Sequence, residues 1–312
     1  MGEANCLAVL GPTASGKTSL AVRFAEHLNG VILSVDSRQV YRGLDIGSGK
    51  DLSEYVSQDG HPIPYRLIDI ANLDQEYSVF DFQTDFYQAF EETLRDGRLP
   101  IAVGGTGLYL EAVLEGYEMV KAPCDKTLRE QLESLSTEEL ELRLREAKGS
   151  LHNTTDLSSR ERMIRAIEIA EAEGEPMVQR APAICPFIFG VEWERSMLRQ
   201  RIGDRLKQRL EMGLINEVRG LRKQGASWER LVSLGLEYRF VSEFLQDRIK
   251  TENDLFQKLH SAINQFAKRQ MTWFRRMERK GIIIHWIPEG DFGRAIELLK
   301  GIEWNLDLKN TS

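Results

Sequence analysis

The chain has 312 residues, of which 42% are hydrophobic and 29% are charged, with a formal net charge of −7, as in an ordinary globular protein. No apolar run approaches the roughly 20 residues that a membrane span needs, and the N-terminus lacks a signal-peptide pattern, so we expect a cytoplasmic protein. Cys6, Cys124 and Cys185 form no C-x-x-C pair, which excludes a zinc knuckle and a disulfide framework, and we expect three reduced packing residues.

The first predicted strand ends in a glycine-bearing loop. An apolar run from Leu7 stops at Gly11, and residues 11–18 read GPTASGKT, the G-x-x-x-x-G-K-T spacing of a P-loop. Such a loop cradles phosphate with backbone N–H groups, a helix start and a lysine charge, and its threonine hydroxyl can hold Mg²⁺. A turn without a ligand is the alternative. We expect Mg²⁺ to bind at Thr18. The residues expected to bind phosphate are Gly11, Pro12, Thr13, Ala14, Ser15, Gly16, Lys17 and Thr18.

Residues 1–116 alternate β-type runs with helical patterns. The runs LAVL, GVILSVD, YRLIDI and LPIAVGG predict strands, and a helix is predicted over residues 79–95. This order predicts βαβ units, hence an α/β fold with a P-loop NTPase-like parallel sheet flanked by helices. Because strand ends carry the ligands in such sheets, the P-loop, Asp36 and Gly104–Gly105 should converge at one edge.

The pattern changes near residue 117. Residues 117–183 consist of charged helix formers without a strand signal, which predicts a small all-helical insertion domain. Residues 184–312 are predicted to complete the core domain with a strand at FIFGVEW, long helices to about Lys280, a strand at IIIHWI and a C-terminal helix.

Positive charge is concentrated late in the chain. Residues 191–280 hold 20 Lys and Arg against 12 Asp and Glu, although the whole chain is acidic. On the helix around residues 265–280, six cations fall within an arc of about 140° and apolar residues share the other side. This pattern fits two alternatives. The face could bind the phosphates of a nucleic acid, or it could be a solvated face of a packed helix. The cations are Lys268, Arg269, Arg275, Arg276, Arg279 and Lys280.

The carboxylates near the P-loop decide which chemistry it serves. Phosphoryl transfer needs a Walker-B carboxylate at the end of a later strand, but PIAVGGTG ends in glycine and threonine, which leaves Asp36 or Asp69. Asp36 follows the strand GVILSV and should lie near the bound phosphates, where a carboxylate can act as a general base. A helix N-cap is the alternative role for Asp36.

Several blocks of the sequence resemble the motifs of the tRNA dimethylallyltransferase family, also called tRNA isopentenyl-diphosphate transferases. They occur in order over about residues 5–285, which makes the resemblance far more specific than a P-loop alone. The blocks are GPTASGKT at 11–18, SVDSRQVYRGLDIG at 34–47, LID at 67–69, GRLPIAVGGTGLYLEAVLEG at 97–116, RMIRAIEI at 162–169, GLINEV at 213–218 and AKRQMTWFRR at 267–276.

The resemblance implies transfer of a dimethylallyl group from dimethylallyl diphosphate to N6 of adenosine 37 in tRNAs with adenosines at 36 and 37. The P-loop then holds a diphosphate that leaves, stabilised by Lys17 and by Mg²⁺ on Thr18. Asp36 matches the base that takes the proton of the amine, and Thr106 matches a residue that contacts the reacting nucleotide. Thr13 and Ser15 could add hydroxyl donors to the diphosphate.

The same resemblance implies the residues that bind tRNA. Ser37, Arg38 and Gln39 match those that read the adenine beside the base, which requires a nucleotide splayed out of its stack. The remaining implied tRNA-binding residues lie in the insertion and in the C-terminal part of the chain: Arg129, Glu161, Arg162, Met163, Ile164, Arg165, Tyr238, Arg239, Lys268, Arg269 and Arg275.

Four stretches depart from the family pattern. Ser48-Gly49-Lys50-Asp51 stands where the family usually has threonine-alanine-lysine-proline, and Tyr65-Arg66 replaces a histidine pair. The isoleucine-glycine-tyrosine-arginine block is LGLEYR at residues 234–239, longer by two, and Asn264-Gln265 replaces arginine-glutamine. These changes lie mostly around the implied tRNA surface and diphosphate rim, so they bear on substrate detail more than on reaction type.

Other functions fit parts of the sequence. An adenylate isopentenyltransferase would need neither the insertion nor the basic helix, and both are present, which favours tRNA. A P-loop kinase or nucleotide switch, an RNA-binding protein with a vestigial P-loop, and a relative that has lost activity are the further alternatives. No long apolar heptad pattern occurs, so we expect a monomer without an obligate protein partner.

Overall fold

The computed structural model describes residues 3–117, 126–148, 157, 160–171 and 181–306. The chain divides into two units. The core unit comprises residues 1–117 and 181–312, and the helical unit comprises residues 118–180. The limits of the helical unit lie close to the sequence-based limits of 117 and 183.

A parallel sheet of six strands forms the centre of the core unit, in the order β4-β3-β5-β2-β6-β7, and β1 pairs separately with β8. The parallel α/β prediction is therefore confirmed. The described strands are β1 (Glu3–Ala4), β2 (Cys6–Leu10), β3 (Gly30–Val35), β4 (Tyr65–Arg66), β5 (Leu99–Gly104), β6 (Pro186–Glu192), β7 (His285–Pro288) and β8 (Glu303–Trp304).

The central strands form because their residues are apolar on both faces. β2, β3 and β5 are buried at every position, as expected for parallel strands covered by helices on each side. Leu7 and Val9 of β2 pack into one core cluster, and Ala8 and Leu10 pack into the other. Alternate residues thus fill the two helix-covered faces of the sheet.

Helices cover the sheet and extend beyond it. The predicted helix over residues 79–95 is confirmed as α2, where Ser78 and Asp81 form a capping box at its start. The helices of the core unit are α1 (Lys17–His27), α2 (Val79–Arg95), α3 (Gly107–Leu114), α7 (Arg195–Glu211), α8 (Leu214–Lys223), α9 (Trp228–Ser233), α10 (Leu236–Leu245), α11 (Glu252–Arg279) and α12 (Phe292–Leu299). Within the described residues, no helix combines the length and the apolar character that crossing a bilayer requires.

Two predicted strands are shorter than their apolar runs. In YRLIDI only Tyr65 and Arg66 are extended, because Leu67 and Asp69 have φ of 68° and 57°, which a strand does not allow. In IIIHWI the strand begins at His285, and Ile283 is 72% exposed. Apolar content alone did not reveal these backbone turns.

The helical unit contains α4 (Lys126–Ser134), α5 (Thr137–Lys148) and α6 (Arg160–Glu171). Met163 and Ile164 lie in its own apolar core with Leu132, Leu140 and Leu144. Their side chains therefore stabilise the unit, and the expectation that these two residues contact tRNA stays a prediction. Their position in α6 follows from its apolar face, which the unit buries.

The cysteines fit the expectation only in part. Cys6 is buried in β2, and burial raises the pKa of its thiol to about 12. Cys185 is an exposed free cysteine, so the prediction that it packs in the interior is wrong. Cys124 lies outside the described residues.

Candidate active site

The carboxyl ends of β2, β3 and β5 border a cavity of about 210 Å³ in the core unit. The P-loop, Asp36 and the glycines after β5 meet there, as the strand order requires. A second cavity adjoins it and shares four lining residues: Lys17, Thr18, Arg205 and Arg209.

Part of the P-loop is held by the protein itself. The Thr13 N–H donates to Oε1 of Gln270 (2.9 Å), and the Ser15 N–H donates to the Pro12 carbonyl (3.3 Å). Gly16 adopts φ 85° as the N-cap of α1 and supplies no side-chain cap. The backbone N–H groups at the start of α1 thus remain available to a phosphate. The Thr13 and Ser15 amides are not available, because they already donate within the protein.

Two further features of the loop agree with an anion. The Ser15 Oγ is buried and has no hydrogen-bond partner among the described residues. The Lys17 ammonium lies 3.4 Å from the Pro12 carbonyl, and burial, with a contribution from Arg205, lowers its pKa to about 8. A buried hydroxyl without a partner and a desolvated cation both gain from a bound phosphate.

Gln270 of α11 ties the P-loop to the end of β5. Its Oε1 accepts from Thr13, and its Nε2 donates to the Gly105 carbonyl (2.8 Å). A Cβ at Gly105 would lie 2.3 Å from that Nε2, so only glycine permits the approach. The AKRQ block contains this glutamine, but its role depends on a contact 165 residues away in the chain.

Asp36 sits in a turn after β3. Its Oδ1 accepts from the backbone N–H groups of Arg38 (2.8 Å) and Gln39 (3.2 Å), and no helix begins there. The N-cap alternative is therefore wrong, although the oxygen does cap a turn. The Oδ2 has no hydrogen-bond partner within the described residues and is left for a ligand.

The residues expected to read the adenine line the same cavity as Asp36. The Ser37 N–H lies 3.5 Å from Oγ1 of Thr106. Gln39 is fixed on both sides, since its Oε1 accepts from Ser34 Oγ (2.8 Å) and its Nε2 donates to the Gly49 carbonyl (3.0 Å). Arg38 also lines the cavity and is half-buried.

Arg205 and Arg209 of α7 also line both cavities, and we did not predict them from the sequence. The Arg205 guanidinium pairs with Asp51 (2.6 Å), and Nη1 of Arg209 pairs with Glu237 (3.0 Å). Together with Arg201 they recur every four residues, a spacing that places three arginines on one helix face. That spacing is the sequence signal that could have identified them.

Glu217 of α8 orders the loop after the Asp36 turn. Its carboxylate accepts from the backbone N–H groups of Asp45 (3.1 Å), Ile46 (2.6 Å) and Gly47 (3.0 Å), and from the Tyr238 hydroxyl (2.9 Å). Tyr238 is only 1% exposed and forms part of the cavity wall, and its expected role in tRNA binding stays a prediction.

Removing the Glu217 carboxylate should loosen this loop. We expect Glu217→Ala to lower the free energy of unfolding by about 2 kcal/mol, because several polar groups lose a charged acceptor. Urea denaturation measures the change, with Glu211→Ala on an exposed α7 position as the control. A loss no larger than in that control would show that the loop does not depend on Glu217.

Two cations on the basic face of α11 share an acidic partner. Arg276 (2.7 Å) and Lys280 both pair with the buried carboxylate of Glu111 on α3. One carboxylate offsets only part of the charge of two cations, so the place of Arg276 and Lys280 in a phosphate track stays a prediction. The cations of the arc that are exposed are Lys268, Arg269, Arg275, Arg279 and Lys280, whereas Arg276 is half-buried.

The other expected tRNA-binding residues differ in exposure. Arg239 is exposed on α10 and pairs with Glu243 (2.9 Å). In the helical unit, Glu161 and Arg162 are exposed, whereas Arg129 and Arg165 both bind the buried Glu168 carboxylate, Arg129 through two nitrogens.

The choice between Asp36 and Asp69 is settled by position. Asp69 binds the buried ammonium of Lys50 and does not line either cavity next to the P-loop. Within the described ranges, no cluster of three or more His, Cys, Asp or Glu side chains could hold a metal by itself. Thr18 and Asp36 line one cavity, a donor set that suits Mg²⁺ when phosphate oxygens complete it.

The fold and the cavity define a P-loop α/β protein in which Asp36 lines the same cavity as the phosphate-binding loop. A family model described as IPP transferase matches residues 39–277, and one described as isopentenyl transferase matches residues 4–59. The chain therefore belongs to the tRNA dimethylallyltransferase (IPP transferase) family.

Individual relatives agree with this family over nearly the full chain. A tRNA dimethylallyltransferase 1 of Geotalea uraniireducens is 55% identical, covering 92% of this chain and 93% of that protein. One of Syntrophus aciditrophicus is 53% identical, with 95% and 98% covered. The structure of a tRNA isopentenylpyrophosphate transferase from Bacillus halodurans aligns with a TM-score of 0.69 and 31% identity over 96% of each chain.

A eukaryotic dimethylallyltransferase, solved as it acts on tRNA, shares the fold. It aligns with a TM-score of 0.75 at 21% identity, covering 95% of this chain and 78% of that one.

Proposed function

We propose that this protein transfers the dimethylallyl group of dimethylallyl diphosphate to N6 of adenosine 37 in tRNA, giving N6-dimethylallyladenosine and diphosphate. The observation that carries the proposal is the presence of Asp36 in the same cavity as Lys17 and Thr18 of the P-loop. The names of the relatives supply the substrate class. We further propose that the enzyme acts in the cytoplasm as a monomer.

The reaction breaks one C–O bond and forms one C–N bond. The adenine amine attacks C1 of the dimethylallyl group, the diphosphate leaves with the electron pair of the C–O bond, and the amine proton passes to a base. Asp36 is the proposed base, and it also orients the amine. Lys17 and the start of α1 bind the charge that develops on the leaving diphosphate.

Mg²⁺ is the proposed cofactor, with Thr18 as the residue that holds it and Asp36 as the nearest carboxylate. When bound, the ion would neutralise charge on the diphosphate. The protein's own part is to aim the Thr18 hydroxyl and the α1 N-terminus at that diphosphate, while Gln270 keeps the loop closed against β5.

Recognition of tRNA is proposed for two regions. Ser37, Arg38, Gln39 and Thr106 surround the space where an adenine splayed out of the anticodon loop would meet Asp36. Outside the cavity, we propose that exposed and partly exposed residues contact the anticodon stem-loop: Arg129, Glu161, Arg162 and Arg165 of the helical unit, and Arg239, Lys268, Arg269 and Arg275 of the core unit.

The proposal is tested by incubating the protein with Mg²⁺, dimethylallyl diphosphate and either unmodified tRNA with A36 and A37 or free AMP. Digestion and mass spectrometry then detect N6-dimethylallyladenosine. We expect product on tRNA alone. Product on AMP alone would identify an adenylate isopentenyltransferase, and no product on either acceptor, in the wild-type protein, would overturn the proposed activity.

The basic face of α11 yields a separate prediction. We expect Arg275→Ala to weaken tRNA binding and to reduce the slope of log K against log salt concentration by about one, because one phosphate contact is lost. Binding is measured by filter assay at several salt concentrations, with Arg294→Ala on α12 as a variant of equal charge. Equal slopes in the two variants would show that Arg275 makes no phosphate contact and belongs to a solvated face.

A further inference from the structure

Arg209 is an unusual component of the phosphate site, because a guanidinium is rarely buried. The residue is 7% exposed and lines both cavities beside Lys17 and Arg205. Within the described residues, both of its hydrogen bonds leave from Nη1, to Glu237 (3.0 Å) and to the Gly47 carbonyl (3.5 Å). Its Nε is buried without a partner. Arg209 therefore keeps donors that the protein does not use.

Gly49 brings Arg209 and Arg205 together. A Cβ at Gly49 would lie 1.8 Å from Nη2 of Arg209 and 2.6 Å from Nη2 of Arg205, so both guanidinium groups approach the same point. Any side chain at this position would displace them. Burial and the neighbouring Arg205 lower the pKa of Arg209, which is the electrostatic cost of placing two like charges together.

Carboxylates compensate the charges of both arginines. Asp51 binds Arg205, and the buried Glu237 binds Arg209. The buried Glu237 pair holds Arg209 in one orientation, and Asp51 orients the partly exposed Arg205. Because Lys17 shares both cavities, three cations of the site are fixed before a ligand binds, and an anion with several charges would relieve their mutual repulsion.

The residues around Arg209 occupy positions where this sequence departs from the family pattern. Gly49 and Asp51 belong to the stretch 48–51, and Glu237 belongs to the lengthened stretch 234–239. Asp51 has φ 33°, which the proline of the family pattern is unable to adopt. Two of the four departing stretches thus meet at Arg209, where Gly49 provides the space for its guanidinium and Glu237 its counter-charge.

We infer that Arg209 is a further phosphate-binding residue, which donates from Nη2 to the diphosphate of the allylic substrate next to Arg205 and Lys17. Naming the ligand as an allylic diphosphate rests on the proposed function, but the contact itself requires only a diphosphate in this cavity. Charge-assisted donors of this kind bind phosphate strongly and with defined geometry.

The test compares two variants that differ only in the guanidinium. Because Arg209→Met alone would leave Glu237 buried and unpaired, Glu237→Gln is the reference and Glu237→Gln/Arg209→Met is the test. Calorimetry with inorganic pyrophosphate and Mg²⁺ should show affinity at least about tenfold weaker in the double variant. Arg199→Met, at an exposed position of the same helix, is the control and should bind as the wild type does.

A merely structural role for Arg209 gives a different result. Pyrophosphate affinity equal in the double variant and its reference would overturn the inference. Arg209→Lys keeps the charge beside Glu237 and covers the case in which the double variant fails to fold: it should weaken pyrophosphate binding several-fold, and wild-type affinity would also overturn the inference.

Kinetics separate this inference from the proposed function. In an active protein, the double variant should raise the KM for dimethylallyl diphosphate and leave the KM for tRNA unchanged. If the wild type gives no product on tRNA, the proposed function fails, but the pyrophosphate titrations still decide whether Arg209 binds phosphate.

Discussion

Replacing Asp36 with alanine is expected to lower kcat for transfer to tRNA at least about 10²-fold, with a modest effect on the Kd for tRNA. The exocyclic amine of adenine is a weak nucleophile because its lone pair is conjugated with the ring, so a base that takes its proton should contribute strongly. Asp36 is placed for this role, since Oδ1 is held by the turn and Oδ2 is left for a ligand. Single-turnover rates with saturating dimethylallyl diphosphate measure the effect.

Asp36→Asn is the matched control for that experiment. An asparagine oxygen can still accept from the backbone N–H groups of Arg38 and Gln39, so the turn should be kept while the base is lost. We expect the asparagine variant to be as slow as the alanine variant and to unfold at the wild-type temperature. Full activity in the asparagine variant would show that Asp36 is not the base and that it only stabilises the turn.

Replacing Lys17 with alanine is expected to lower kcat/KM for dimethylallyl diphosphate by about 10²- to 10³-fold. The ammonium lies at the point where two cavities join, between the start of α1 and the arginines of α7. The burial that depresses its pKa also strengthens its interaction with a phosphate, because less water screens the charge.

Comparing tRNA binding with pyrophosphate binding distinguishes a specific role of Lys17 from a general loss of structure. The Kd for tRNA should stay near the wild-type value in Lys17→Ala, while pyrophosphate binding should weaken. Lys17→Arg tests geometry, because a guanidinium keeps the charge but differs in shape and should recover only part of the rate. Unchanged kinetics with dimethylallyl diphosphate in Lys17→Ala would show that the P-loop holds a different ligand.

The P-loop and the parallel strands beside it follow from local sequence. The apolar runs of β2, β3 and β5 are long enough to be buried on both faces, and each ends in small or polar residues. Because parallel strands present their carboxyl ends at one edge, the meeting of Asp36 with the P-loop follows once those runs are recognised as strands. The helical spacing of the cations likewise predicted the basic face of α11. The sequence did not show which acidic side chains pair with these cations.

Contacts between distant segments decided the remaining parts of the site. Gln270 reaches the P-loop from α11, Glu217 orders residues 45–47 from α8, and Glu111 pairs with Arg276 and Lys280 of the basic face. Met163 and Ile164 share a motif with the exposed Arg162, and only packing shows that their side chains are buried while that of Arg162 is not.

By itself the sequence determined the family, the parallel α/β fold, the P-loop and the carboxylate beside it, because these depend on residue spacing and on runs of apolar residues that a local segment contains. The tertiary structure alone decided which charges remain available to a ligand. A charge is neutralised or kept by the side chain that faces it, and that neighbour is set by how helices pack. Arg209, with Gly49 and Glu237 around it, is the clearest case, since these three residues are far apart in the chain and meet only in the folded protein.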